Sequence, residues 1–198
     1  GRRRMATVAP KGLPNAASPM EAALAICLTA PVSLGGFGLP SPKLNVAIPV
    51  SGVARRLWDG DVIVPDLLWE FEPEEVGEDG QPEQDEGRRL LKGLAIEYDS
   101  DKNHTGPARI ARDSRRRNVL EEMGYRVITM TNEQFADTRE LERVGMMVAR
   151  ELGAPLELAT DELWVRRTTF HHKMRDIAKN VISRMTAQQV YDGWLTWC

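Results

Sequence analysis

The chain has few of the residues that mark disulfide-rich, membrane and nucleotide-hydrolysing proteins. It has only two cysteines in 198 residues, Cys27 and Cys198, which argues against a disulfide framework and favours a reducing compartment, the cytoplasm. Its longest apolar stretch, from about Ala22 to Leu39, is broken by proline and glycine and is too short to span a bilayer, so we expect no membrane association. A CxxC pair, a phosphate-cradling glycine loop and a nucleophile elbow are all missing. Zinc fingers, nucleoside triphosphatases and serine hydrolases are therefore disfavoured.

The charge is small in total but unevenly distributed. The net charge is −3, yet the segment from Glu70 to Glu86 holds nine acidic residues and no basic one, together with prolines and glycines. Such a composition is typical of a solvated loop, and we assign an acidic loop to residues 70–92. Without the nine acidic residues, the remainder is about six charges positive.

Arginines concentrate near the start of one predicted helix. They are Arg109, Arg112, Arg115, Arg116 and Arg117. A cluster of this kind can follow a phosphate backbone, and it can equally be an ordinary solvated helix face. A second basic group, Arg166, Arg167 and Lys173 around His171 and His172, is interpreted as a solvated face.

The spacing of apolar residues predicts a small mixed α/β sandwich at residues 18–153. Helices are predicted from Ser18, as N-cap, to about Thr29, from Ile110 to Met123 with Gly124 after its end, and from about Thr138 to Leu152. Strands are predicted at Leu44 to Val50, Asp61 to Phe71, Gly93 to Asp99 and Tyr125 to Thr131. The last two strands and the helix between them form a crossover unit, so we expect one parallel pair beside antiparallel neighbours, covered by helices.

Segments on both sides of this domain are assigned separately. Residues 1–17 are expected to be a flexible N-terminal segment. Residues 154–198 are expected to be a C-terminal helical extension, with an apolar face formed by Phe170, Met174, Ile177, Val181 and Met185. That face would pack on the core or on a protein partner.

The strand at Gly93 to Asp99 is the most informative part of the sequence. Its apolar residues end in Glu97-Tyr98-Asp99, which places two carboxylates two residues apart on the same face at the strand's end. Two oxygen ligands on one face suit a divalent cation.

The order of these elements and the residues on them resemble a known family. The residues are Pro65-Asp66 on one strand, Glu97-Tyr98-Asp99 on the next, His104 after it, and Asp113-x-x-Arg116-x-x-x-Leu120-x-x-x-Gly124-Tyr125-Arg-Val-Ile on the helix and last strand. The chain resembles the restriction-endonuclease-like, PD-(D/E)XK superfamily. Within it, the chain is similar to the very-short-patch-repair endonuclease-like branch, which also contains the C-terminal domains of abortive-infection antitoxin-like proteins.

The resemblance implies a restriction-endonuclease-like mixed sheet flanked by helices and a metal-dependent reaction on a phosphodiester. Asp66 and Glu97 would hold Mg²⁺ or Mn²⁺, with Asp99 as a support or third ligand. Asp99 also stands where the superfamily usually has a lysine, whereas an Asp there and a His downstream are usual in the branch. His104 would orient the attacking water or protonate the leaving group.

The resemblance also implies contacts with nucleic acid, and we expect this nucleic acid to be DNA. Arg116 would reach the scissile phosphate, with Arg109, Arg112 and Arg117 supplying further backbone contacts. Asp113 would fix a neighbouring side chain, and Glu21 on the first helix would complete the metal site.

Simpler interpretations remain for several of these residues. Glu21 fits a capping box with Ser18, Asp113 can pair locally with Arg116 or Arg117, and His104 can be a surface-loop histidine. The competing function is that of a catalytically inactive endonuclease-fold domain, serving interaction or regulation in a toxin–antitoxin or phage-defence protein.

Overall fold

The computed structural model describes residues 16–72, 91–99, 106–157 and 160–181. Five helices are found there, α1 Pro19–Thr29, α2 Pro107–Glu122, α3 Asn132–Ala136, α4 Thr138–Leu152 and α5 Asp161–Val181. The strands are β1 Lys43–Leu44, β2 Ile48–Pro49, β3 Val62–Ile63, β4 Leu67–Glu70, β5 Gly93–Asp99 and β6 Tyr125–Thr131. Within those residues, no helix is long and apolar enough to cross a membrane.

The main sheet has four strands in the order β1, β4, β5, β6. The β1–β4 and β4–β5 pairs are antiparallel, and β5 and β6 are parallel, joined through α2. The predicted parallel pair beside antiparallel neighbours is thus confirmed, and so is the α/β class. A separate antiparallel pair, β2 with β3, forms a small hairpin sheet.

Alternation along the strands divides the core between the two faces of the sheet. On one face, Leu67 and Ile96 pack in a large cluster with α1, α4 and α5. On the other face, Leu68 and Ala95 pack in a smaller cluster with α2 and the β2–β3 hairpin. Because side chains alternate along a strand, Glu97 lies on the same face as Ala95, below α2.

Helix α1 starts and ends as its sequence predicts. The Ser18 hydroxyl accepts a hydrogen bond from the Glu21 amide at 3.2 Å, and Pro19 occupies the first turn. All residues from Met20 to Leu28 are buried, and the helix packs against α5 and against the chain segment at Phe37 and Leu39.

Two of the predicted strands are wrong in extent. The strand predicted at Leu44 to Val50 is two short pieces in different sheets, because Asn45 has a left-handed φ of 48° and turns the chain between them. The strand predicted at Asp61 to Phe71 is interrupted between β3 and β4 by Val64, Pro65 and Asp66. Helix α3 was not predicted, although Thr131 and Gln134 form its complete capping box.

Glu70, assigned to the acidic loop, is the last residue of β4 and pairs with Lys43 on β1. The rest of that loop from position 73 to 90 lies outside the described residues, as do the N-terminal segment up to position 15 and the C-terminal residues from 182.

Helix α5 packs on the core, with Phe170, Met174 and Ala178 in the large cluster. The solvated face predicted near its middle is wrong for two residues. Arg167 is 2% exposed and His171 is fully buried, while Arg166 and His172 are exposed. Their burial follows from partners on other elements, which a local charge pattern does not reveal.

His171 is a neutral structural residue. Its Nε2–H donates to the Phe135 carbonyl at 2.8 Å, and its Nδ1 accepts from the Thr138 hydroxyl at 2.8 Å. Burial lowers the pKa of His171 to about 4, which keeps the ring uncharged at neutral pH. The ring therefore joins α5 to α3 and α4 rather than offering a charge to a ligand.

Candidate functional site

A row of polar residues crosses one end of the main sheet. The register pairs Leu67 with Ile96 across β4 and β5, so the next position outward places Asp66 beside Glu97. On β6, Thr129 is the partner of Glu97, and on the β1 side the Asn45 amide donates to the Asp66 carbonyl at 3.1 Å. The row therefore runs Asn45, Asp66, Glu97, Thr129, and the predicted convergence of Asp66 and Glu97 is present.

Asp66 is the last residue of the break before β4 and is held from the neighbouring strand β5. Its Oδ2 accepts a hydrogen bond from the Tyr98 amide at 2.6 Å. Burial and the nearby charge of Glu21 raise the pKa of Asp66 to about 6, although the Tyr98 amide and Arg116 act in the opposite direction. The Tyr98 amide thus holds the Asp66 carboxyl in place, while burial disfavours its charged form.

The two carboxylate oxygens of Glu97 differ in their contacts. Its Oε2 accepts from Arg116 Nε at 3.0 Å, whereas Oε1 is buried and has no hydrogen-bond partner among the described residues. Burial raises the pKa of Glu97 to about 7, with the charges of Asp66 and Asp113 adding to the effect and Arg116 opposing it. A buried acceptor without a partner is costly, so this oxygen is suited to a ligand.

Two arginines of α2 reach down to the row. The Arg116 guanidinium donates to Glu97 through Nε and to the Val64 carbonyl through Nη2. Arg117 Nη2 donates to the Thr129 hydroxyl at 3.1 Å while the rest of Arg117 is exposed. Arg116, predicted to contact a phosphate, is thus engaged with the two segments that carry Asp66 and Glu97.

Glu21 approaches from α1 and is 8% exposed. Its Oε2 accepts from the Ala17 amide at 2.9 Å and from Asn45 Nδ2 at 3.0 Å. The contact with Ala17 replaces the reciprocal bond to the Ser18 amide that a capping box requires. Glu21 therefore ties the start of α1 to the outer member of the row, and its charge acts on Asp66.

The other predicted site residues are distributed around the row. Asp99 is half-buried at the end of β5, opposite Thr131, and Arg112 and Asp113 are exposed on α2. His104 lies outside the described residues, and Arg109 is placed only as a backbone position in α2. Asn45, Thr129 and the Val64 carbonyl were not predicted; extending the strand register by one position would have identified the first two.

The donor set fits a hard divalent cation bound through few protein ligands. Among the described residues, no three or more His, Cys, Asp or Glu side chains are grouped so as to hold a metal, so the predicted set Asp66, Glu97 and Asp99 is not seen as one cluster. Magnesium commonly takes one or two carboxylates and completes its shell with water and substrate phosphate. Asp66 and the buried Glu97 Oε1 provide that smaller set.

We expect Asp66→Asn to stabilise the protein at pH 8 by about 1–2 kcal/mol. The pKa of Asp66 is raised to about 6 in the folded state, and solvent screening reduces the energy that corresponds to this rise. The folded state holds the proton of Asp66 up to about pH 6 and the unfolded state only to about pH 4, so this carboxyl costs stability as pH rises through that window. Asparagine keeps an oxygen for the Tyr98 amide and carries no charge. Urea unfolding at pH 8 and at pH 3.5 measures the gain, which should vanish at the lower pH; a loss of stability at pH 8 would contradict it.

Comparison of the chain with known protein families, with curated proteins and with solved structures found no match to any of them.

Proposed function

We propose that this chain is a metal-dependent endonuclease that binds DNA and hydrolyses its phosphodiester bonds. The observation that carries the proposal is the pair of adjacent, half-buried carboxylates, Asp66 and Glu97, with Glu97 Oε1 lacking a hydrogen-bond partner in the part of the chain that the structure describes. Two half-buried carboxylates side by side repel each other, and a divalent cation held by Asp66 and Glu97 would remove that cost.

A metal held there would supply Lewis-acid stabilisation of a phosphodiester and an activated water. The chain's own residues would do the positioning. The Tyr98 amide fixes Asp66, Arg116 fixes Glu97, and the sheet register sets the spacing of the two carboxylates. The end of a hydrogen-bonded sheet is well suited to this task, because the hydrogen bonds between the strands fix the backbone from which these side chains extend.

The exposed half of α2 supports DNA as the ligand. Residues 110–115 are all exposed, whereas Val119 and Leu120 further along the helix are fully buried. This exposed half carries Arg112 and Arg115 and leads directly to Arg116 above the carboxylates. Arginines in this place can hold the backbone of a strand whose phosphate lies at the metal.

The first test is a calorimetric titration of the full chain with Mn²⁺ and Mg²⁺. We expect the wild type to bind and the Asp66→Asn, Glu97→Gln double variant to lose binding. Asp59→Asn, which changes an exposed carboxylate, serves as the control and should bind as the wild type does. Repeating the titration with a phosphorothioate DNA present covers a site that fills only with its phosphate. Failure to bind under both conditions would contradict the proposal and favour an inactive interaction domain.

A further inference from the structure

Arg116 connects the two segments that carry the candidate metal ligands. Its Nε donates to Glu97 Oε2 at 3.0 Å on β5, and its Nη2 donates to the carbonyl of Val64, two residues before Asp66. The side chain is 28% exposed and that of Glu97 is 18% exposed, so the bridge lies mostly away from solvent. The planar guanidinium of Arg116 therefore fixes the distance between the segment before β4 and the end of β5.

The bridge also decides which oxygen of Glu97 is available. With Oε2 bound to Arg116, rotation of the carboxylate is restricted, and Oε1 is the oxygen for which the described residues offer no partner. If Arg116 released Glu97, both oxygens would be free to rotate, and the geometry presented to a cation would no longer be defined.

We propose that Arg116 is a positioning residue for the metal, which orients Glu97 so that Oε1 faces the cation, and that this role is separate from any contact with phosphate. The inference rests on the proposed metal site. In this role Arg116 acts on Glu97, whereas the family resemblance implied that Arg116 contacts the scissile phosphate.

The test measures Mn²⁺ affinity in Arg116→Ala and Arg116→Lys without nucleic acid. Partners that orient a metal ligand typically contribute 10- to 100-fold in affinity, so we expect both variants to bind Mn²⁺ about 10-fold or more weakly than wild type. Lysine should not rescue, because a single ammonium cannot bond Glu97 and the Val64 carbonyl in the same fixed, forked geometry. Arg126→Ala, which removes an exposed arginine on β6, should leave the affinity unchanged.

The alternatives give different results. If Arg116 acts only as a positive charge beside the metal, Arg116→Ala would bind Mn²⁺ more tightly and Arg116→Lys would match wild type. If Arg116 serves only the phosphate, both variants would bind Mn²⁺ normally and lose DNA affinity alone. Either result overturns the positioning role while leaving the metal site intact.

Two further measurements secure the interpretation. Circular dichroism and urea unfolding establish that each variant is folded at the titration temperature, and the lysine variant, which retains the charge, provides the reading if the alanine variant does not fold. If wild type itself binds no Mn²⁺, with or without phosphorothioate DNA, the proposed function fails and this inference with it. Normal binding by wild type and both Arg116 variants overturns the inference alone.

Discussion

Glu97→Gln is expected to reduce cleavage of DNA on the order of 10³-fold while the fold is retained. Glutamine keeps the size of the side chain, but it replaces one carboxylate oxygen with an amide nitrogen and removes the charge. Oε2 is bound to Arg116, and Oε1 has no partner within the described ranges, so the substitution acts on the oxygen that we assign to the cation. The rate is measured with Mg²⁺ on plasmid and on single-stranded circular DNA.

The matched control is Glu121→Gln, which changes an exposed glutamate on α2. It should cleave at the wild-type rate. Equal rates for Glu97→Gln and wild type would contradict the metal role of Glu97. Wild-type protein that binds Mn²⁺ but cleaves no substrate in the panel would instead support a binding domain that has kept the site without its reaction.

Glu142→Ala is expected to lower the free energy of unfolding by about 3 kcal/mol. Glu142 Oε1 accepts from Arg167 Nη1 at 2.6 Å, and Arg167 is 2% exposed on α5. Its guanidinium carbon lies 4.0 Å from the centre of the Phe37 ring, and its buried Nε has no hydrogen-bond partner among the residues that the structure describes. Removing Glu142 leaves this cation buried and uncompensated, which costs more than the ion pair itself contributes.

Glu140→Ala is the control for that experiment. Glu140 pairs with Arg143 on the same helix, but the Arg143 side chain is 63% exposed, so its loss should cost less than about 1 kcal/mol. Urea unfolding at pH 7 gives both values. Arg167→Met, which removes the charge and keeps an apolar chain of similar length, should cost less than Glu142→Ala, and the opposite order would show that packing on Phe37 dominates.

The elements that the sequence predicts well are those with local signals at both ends. Strand β5 begins at Gly93, β6 follows Gly124 with its left-handed φ of 93°, and both have the predicted bounds. Helix α1 has the predicted start, marked by Ser18. In each case a glycine or a capping residue acts within a few positions, so the pattern contains the information.

The errors occur where a residue's conformation depends on distant partners. Asn45 turns the chain with its side chain bound to Glu21 and its amide bound to the Asp66 carbonyl, contacts that cross 24 and 21 positions of sequence. The local sequence predicts Arg167 as a surface cation, whereas in the structure it is buried and pairs with Glu142 of α4. Long-range pairs of this kind leave no periodic signal.

The site shows the same division. The family resemblance implied that Asp66 and Glu97 act together, and the antiparallel register of β4 with β5 places them side by side. The engagement of Arg116 with Glu97 was not predicted, because its helical neighbours Asp113 and Arg117 gave a local explanation first. In the structure Arg116 contacts Glu97 across 19 positions of sequence.

The polar row gives the protein a particular order of assembly. Its four members lie on four separate stretches of chain between positions 45 and 129, so the row exists only once the non-local strand pairs have formed. Contacts of high sequence separation form slowly and late in folding. Whatever binds the row would therefore slow unfolding without accelerating folding, and a cation at 100 times its dissociation constant would add about 2.7 kcal/mol of stability. A bound ligand would therefore slow unfolding only in molecules whose main sheet is fully formed.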